Sequence, residues 1–262
     1  MSERQTYFQP LSPRETEIAW KGMGRDFKRI DAWHEAGQEA YDVASGSVLD
    51  VVDALTEPFQ ASHQLGYLLH TAVDHLHALK MLLADAKAQH TFAPYTLIRG
   101  AIEAASAALW LLRDDAPQEV ALRAMKLEYM NLRDETRATR AVDATAQHNE
   151  IQRDLLQQVL TRNDMTIRGG KDKITATEMV QTADSDFRVP NAYLTWQMCS
   201  AAAHGRPWVK QVLTLFEVHD DDGLSKTLSG QLSSNQMALA LALRTACDIL
   251  EKARTVRSSS AP

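Results

Sequence analysis

The chain has 262 residues, 45% of them hydrophobic and 24% charged, with 28 Lys plus Arg against 34 Asp plus Glu for a net charge of −6. No broad basic field for DNA or an anionic membrane exists at that balance, although a local basic patch can still form. The length suits one large helical domain or two small ones, and a helix-rich pattern with no repeat favours one, with a substantial core.

Two cysteines, Cys199 and Cys247, sit in helix-like segments without metal spacing, which suits a reducing cytosol and core packing rather than a disulfide framework. The opening MSERQTYFQP has no apolar signal core, and the longest nearly apolar run, Ala104 to Leu112, is too short to span a bilayer. The expectation is a soluble cytoplasmic protein with no membrane partner.

In chain order, Ser12-Pro13-Arg14-Glu15 opens the first helix, with Ser12 as cap, Pro13 in the first turn and Glu15 reaching back in a capping box. Gly22, Gly24 and the mixed sequence to Gly37 weaken that helix, and Ser45-Gly46-Ser47 marks a turn before a short helix that stops at Pro58. Residues 1–58 read as an N-terminal helical appendage, and 59–256 as the main helical bundle. From Phe59 to Ala86, Leu65, Leu69, Ala72, Leu76, Leu79 and Leu83 follow a three-four rhythm that predicts an amphipathic helix. His63, His70, Asp74 and His77 fall off its apolar stripe, while His75 lies at the edge, within reach of the bundle interior.

After a break at Thr91 to Pro94 comes Tyr95 to Arg113, YTLIRGAIEAASAALWLLR, apolar on almost every side yet carrying Arg99 and Glu103 one turn apart. Such a helix belongs inside the domain, with both charges at least partly buried. Asp114-Asp115-Ala116-Pro117 ends it and makes the two central helices an antiparallel pair. Residues Gln118 to Asn163 give one long helix or two, with a break expected near Asp143 to Asn149.

Arg168-Gly169-Gly170-Lys171 is a loop, and Thr175-x-x-Glu178 is a second capping box that opens a short helix ending before Ser185. Past Pro190, Tyr193, Trp196, Ser200 and His204 share one helical face that Gly205 and Pro207 terminate. Val212, Thr214, Phe216 and Val218 lie at strand spacing, Asp220 to Gly223 supplies a turn, and a polar strand returns through Leu224 to Leu228. Ser233 to Arg254 is the closing helix, and 257–262 a disordered tail. The fold class is therefore all-α, a helical bundle with antiparallel central helices and one small hairpin before the last helix.

Three constellations carry possible chemistry. His70-x-x-x-Asp74-x-x-His77 has metal-ligand spacing, but its solvated face and lack of a ligand from another segment argue against a site, so no metal or other cofactor is expected. Arg99-x-x-x-Glu103 reads as an anion anchor or, with precedence, as a structural pair fixing helix register. Ser200-x-x-x-His204-Gly205 sets a hydroxyl and an imidazole one turn apart, yet no Gly-x-Ser-x-Gly elbow accompanies them, and His204 can simply cap its own helix end. Arg168-Gly-Gly-Lys171 lacks the strand and the Gly-Lys-Ser/Thr ending of a phosphate-binding loop. The five tryptophans do not interleave with basic residues as a nucleic-acid surface would.

Taken together, Asp74-His75-Leu76 with Ala78-Leu79, Thr96-Leu-Ile-Arg99 with Glu103, Trp110-Leu-Leu112, Arg123, and Ser200-x-x-x-His204-Gly205 with Trp208 form one pattern over roughly Ser62 to Arg254. It resembles uncharacterised bacterial families, common in actinobacteria, that are distantly similar to HEPN domains. The resemblance implies a bundle that forms a homodimer, a role in phage or stress defence, and a polar group of Asp74, His75, Arg99, Glu103, Ser200 and His204 converging between helices. Ligand binding falls to Asp74, His75 and Ser200, with a small anionic or nucleotide-like molecule or RNA as the partner.

Catalytic HEPN members cut RNA without metal, using an Arg and a His with four to six residues between them. This chain departs from that, since Arg140 lies too far before His148 and Arg206 follows His204. A ribonuclease would need Arg99 from another helix beside His204, with Glu103 in the same catalytic group. Three function classes stay open: a binding or regulatory module, which is favoured, a metal-independent endoribonuclease, and a structural interaction protein.

Overall fold

Capping chemistry sets where the helices of the computed structural model begin; it describes residues 11–37, 43–113, 116–142, 148–220 and 229–259. Helix α1, Pro13–Ala36, starts on the Ser12 box: Glu15 N–H donates to Ser12 Oγ at 3.3 Å and Ser12 N–H to Glu15 Oε2 at 2.8 Å. It then runs unbroken through Gly22 and Gly24, because Ala19, Met23, Asp26, Phe27, Ile30 and Trp33 bury one continuous stripe. Tertiary burial outweighs the helix penalty of two glycines.

Ser47 caps α2, Val48–Thr56. Helix α3, Ala61–Lys80, passes into a single π-turn at Met81–Asp85, so the predicted helix to Ala86 changes pitch in its last turn. Helix α4, Ala93–Leu111, is the predicted apolar helix. Helices α5, Pro117–Arg140, and α6, His148–Arg162, are separate, and most of the expected break lies outside the described residues. Thr175 caps α7, Ala176–Ser185.

Helix α8, Ala192–Ala203, is followed by the one-turn α9, Lys210–Leu213. An antiparallel hairpin comes next, β1 Thr214–Asp220 and β2 Ser229–Ser234, paired from Thr214↔Ser234 to Val218↔Gly230 with an irregularity before Asp220. The predicted return strand, Leu224 to Leu228, lies outside the described residues, and β2 as described begins at Ser229. Helix α10, Gln236–Ser259, extends past Arg254. Ten α-helices and one small hairpin among the described residues make the fold all-α. No described helix is long and apolar enough to cross a membrane.

Two compact units divide the chain, one of Met1–Glu39, Thr71–Glu103 and Val189–Leu250, the other of Ala40–His70, Ala104–Arg188 and Glu251–Pro262. In the first, Met23, Ile30, Leu76, Leu79, Tyr95, Ile98, Ile102 and Leu243 are fully buried. Tyr95 Oη donates to Leu213 O at 3.1 Å, tying the start of α4 to the base of the hairpin. Burial pushes that phenol above its ordinary range.

Buried Asp26 joins α1 to α10 through two arginines: its Oδ1 accepts from Arg29 at 3.0 Å and its Oδ2 from Arg244 Nε at 2.9 Å. Asp248 completes the network at 2.9 Å from Arg29. In the second unit α2 and α6 pack on α5. Arg162 and Asn163 donate to the carbonyls of Leu55 and Glu57, satisfying the end of α2. Ala107, Trp110, Ile174 and Met179 form a buried cluster against Leu68, Leu127 and Met130.

Candidate functional site

Arg99 and Glu103 lie one turn apart on α4, and the guanidinium Nε–H donates to Glu103 Oε1 at 2.8 Å. The same oxygen accepts the indole N–H of Trp196 on α8, also at 2.8 Å. Their side chains keep 26% and 31% of their surface exposed, so both charges are partly buried yet open to a ligand. Arg before Glu is the weaker order on an isolated helix, and the buried Trp196 supplies the missing support from another element.

His204 is brought in by the way α8 ends. Gly205 takes φ +64, a left-handed conformation that glycine adopts without a side-chain clash. Its N–H bonds Ala202 O at 3.1 Å, and the next N–H, of Arg206, bonds Ala201 O at 2.8 Å. That pair of bonds is a Schellman close, and it makes His204 the residue at the helix terminus. From there its Nε2 stands 3.0 Å from Arg99 NH1. A guanidinium offers only donors, so Nε2 accepts and the proton of the ring sits on Nδ1.

The other predicted positions go elsewhere. His75 Nδ1–H donates to Thr71 O at 2.8 Å, and its ring occupies the space of a side chain at Gly100, where a Cβ would come 2.6 Å from Cδ2 and Nε2. Asp74 is exposed. Ser200 meets His204 through backbone, the His204 N–H donating to Ser200 O at 3.1 Å. Among the described residues no hydrogen bond links Asp74, His75 or the Ser200 hydroxyl to the Arg99, Glu103, Trp196 and His204 group, so a Ser–His dyad is not formed.

His77 stacks on His34 of α1 with ring centroids 3.8 Å apart and planes within 5°. No group of three or more His, Cys, Asp or Glu among the described residues is placed to hold a metal. Burial pushes the Cys199 thiol up to about 12, which keeps it protonated and unreactive at neutral pH.

Trp196 is the member of the group that sequence reasoning placed on the right face without giving it a role. Its spacing of two turns from His204 is the signal. What the arrangement can do follows from the guanidinium. Glu103 holds Nε and His204 holds one N–H of NH1, which leaves both N–H groups of NH2 without a partner among the described residues. Two fixed edges and one open edge suit an oxyanion. No family model, curated protein or solved structure matches this chain.

Proposed function

We propose that this chain is a cytoplasmic binding or regulatory module whose Arg99, Glu103, Trp196 and His204 group receives a small anionic or nucleotide-like ligand. One observation carries this reading: Arg99 is braced by Glu103 and His204 while its NH2 has no partner among the described residues. The bracing removes rotamer freedom before a ligand arrives, which lowers the entropy lost on binding. The resemblance to HEPN domains supports a homodimer and a place in phage or stress defence.

Calorimetric titration with inorganic phosphate and with adenosine monophosphate tests the site. Saturable binding is expected for wild type, weakened about tenfold or more in Arg99→Lys, which keeps the charge and loses the planar fork. Equal affinity in Arg99→Lys, with both proteins folded, would remove Arg99 from the site. Light scattering after size exclusion reads the oligomeric state.

A second reading, a metal-independent endoribonuclease, is favoured by the 3.0 Å approach of Arg99 NH1 to His204 Nε2 from positions 105 apart. That is the juxtaposition such an enzyme needs, Arg99 stabilising phosphate charge and His204 acting as general acid or base. Nε2 must first exchange the Arg99 N–H for a substrate group. Cleavage of mixed cellular RNA in EDTA by wild type and not by folded His204→Ala would promote this reading. No cleavage, with a large stability loss in the variant, would leave the group as architecture.

A further inference from the structure

The second unit holds a separate cavity of about 260 Å³ between α5 and α6, walled by Leu132, Leu156, Leu160 and Ile167 and rimmed by Arg133 and Arg153. Tyr129 and Gln157 complete the rim, and no carboxylate lines the cavity among the described residues. Leu132, Leu156 and Leu160 are buried, so the floor is apolar.

Arg153 stands apart from its neighbours in how it is held. Arg133 donates through Nε and NH2 to Asp134, and Arg168 is paired with Asp172. Arg153 has no carboxylate partner among the described residues. Its NH2 instead donates at 2.6 Å to the buried hydroxyl of Thr136, which donates in turn to Leu132 O at 2.6 Å. Thr136 has spent its proton on a backbone carbonyl and so presents a lone pair to Arg153. A neutral hydroxyl fixes the guanidinium without neutralising it, and its other donors stay available.

A guanidinium held by a neutral hydroxyl, with no carboxylate partner among the described residues, beside an apolar floor is complementary to a molecule that has an anionic end and an apolar ring. We infer that this cavity binds a small aryl carboxylate, its carboxylate on Arg153 and Arg133 and its ring on Leu132, Leu156 and Leu160. Drug-sized ligands need roughly 300 to 1,000 Å³, so the cavity admits a single ring system. A bare phosphate would leave the apolar floor uncovered, and a neutral aromatic would give Arg153 no counter-charge.

The test uses the full chain with phenylacetate, its neutral analogue phenylacetamide, and inorganic phosphate, followed by calorimetry and by backbone amide shifts in α5 and α6. Phenylacetate should bind saturably and at least tenfold more tightly than either of the others. Arg153→Gln should lose at least tenfold in phenylacetate affinity, while Arg99→Gln leaves it unchanged, separating this cavity from the site on α4. Should Arg153→Gln fail to fold, Ile167→Trp, which fills the cavity from its loop side, should block binding instead. Equal binding of phenylacetamide, undiminished affinity in folded Arg153→Gln, or no saturable binding of phenylacetate would each overturn the inference.

Discussion

Single side chains in this molecule owe their state to partners far along the chain. Glu103 accepts a hydrogen bond from the indole N–H of a tryptophan 93 positions away, and Arg99 meets an imidazole 105 positions away. Glu128 on α5 is a different case. Burial holds its carboxyl above the usual carboxylate range, a bond from Asn131 works against that, and the nearby Glu135 charge adds to it.

The folded state therefore holds the Glu128 proton more tightly than the unfolded chain does. The stability this gives is present below the ordinary value of 4.5 and is lost as pH rises through the folded value. Glu128→Gln should raise the thermal midpoint at pH 7 and change it little at pH 4; a larger gain at pH 4 would contradict the assignment. Of these groups, Arg99 and Glu103 were legible, because two charges in an otherwise apolar helix stand out at i,i+4 spacing. The Trp196 bond, the surroundings of Glu128 and the isolation of Arg153 were not, since each depends on which distant segment arrives beside it.

Helices repeat the lesson at a larger size. A glycine inside a helix always reads as a weak point, yet two of them here face opposite circumstances. Around Gly22 of α1 nothing lies within 4 Å of a would-be Cβ, whereas at Gly100 of α4 the His75 ring is 2.6 Å away. Gly22→Ala should stabilise by about 0.5–1 kcal/mol, since alanine restricts the unfolded chain and fits the helix. Gly100→Ala should cost roughly 1–3 kcal/mol, because His75 is pinned by Thr71 O and cannot move away freely.

Chemical denaturation of both variants beside wild type checks the pair, and a gain at Gly100 would sink the packing argument. Sequence reading located the starts of α1 and α7 and the stop at Gly205, because caps and left-handed glycines are local chemistry. It missed the continuity of α1 through its glycines and the π-turn after α3, which burial decides rather than nearby residues.

Across the whole molecule, neither compact unit is one uninterrupted stretch of chain. Each is assembled from three segments, and the chain passes from one to the other inside α3, α4 and α10. A helix that unwinds on one side of such a crossing loses the turns that nucleate the other side. The two units should therefore unfold together.

Tryptophan placement allows the check, because Trp110 belongs to the second unit and Trp20, Trp33, Trp196 and Trp208 to the first. In a variant keeping Trp110 alone, and in another keeping Trp33 alone, the fluorescence midpoint should coincide with that variant's own circular dichroism midpoint. Separated midpoints would show that the crossings do not couple the units. This assembly lay beyond the sequence, which reads helices one at a time and suggested a boundary at residue 58.

The π-turn at Met81–Asp85 has a bearing on how the chain length itself can vary. Ala86 N–H reaches back five residues to Met81 O at 2.9 Å, one residue more than an α-turn encloses. Lys80 pairs across it with Asp85 at 3.1 Å, and buried Leu83 follows Leu79 by four positions. With the half-exposed Met81 gone, Asp85 would stand four places after Lys80 and Leu83 three places after Leu79, both spacings that keep the same face of an α-helix. The helix thus carries a spare residue, and this is the point where the fold can absorb or shed one without turning its buried stripe to solvent.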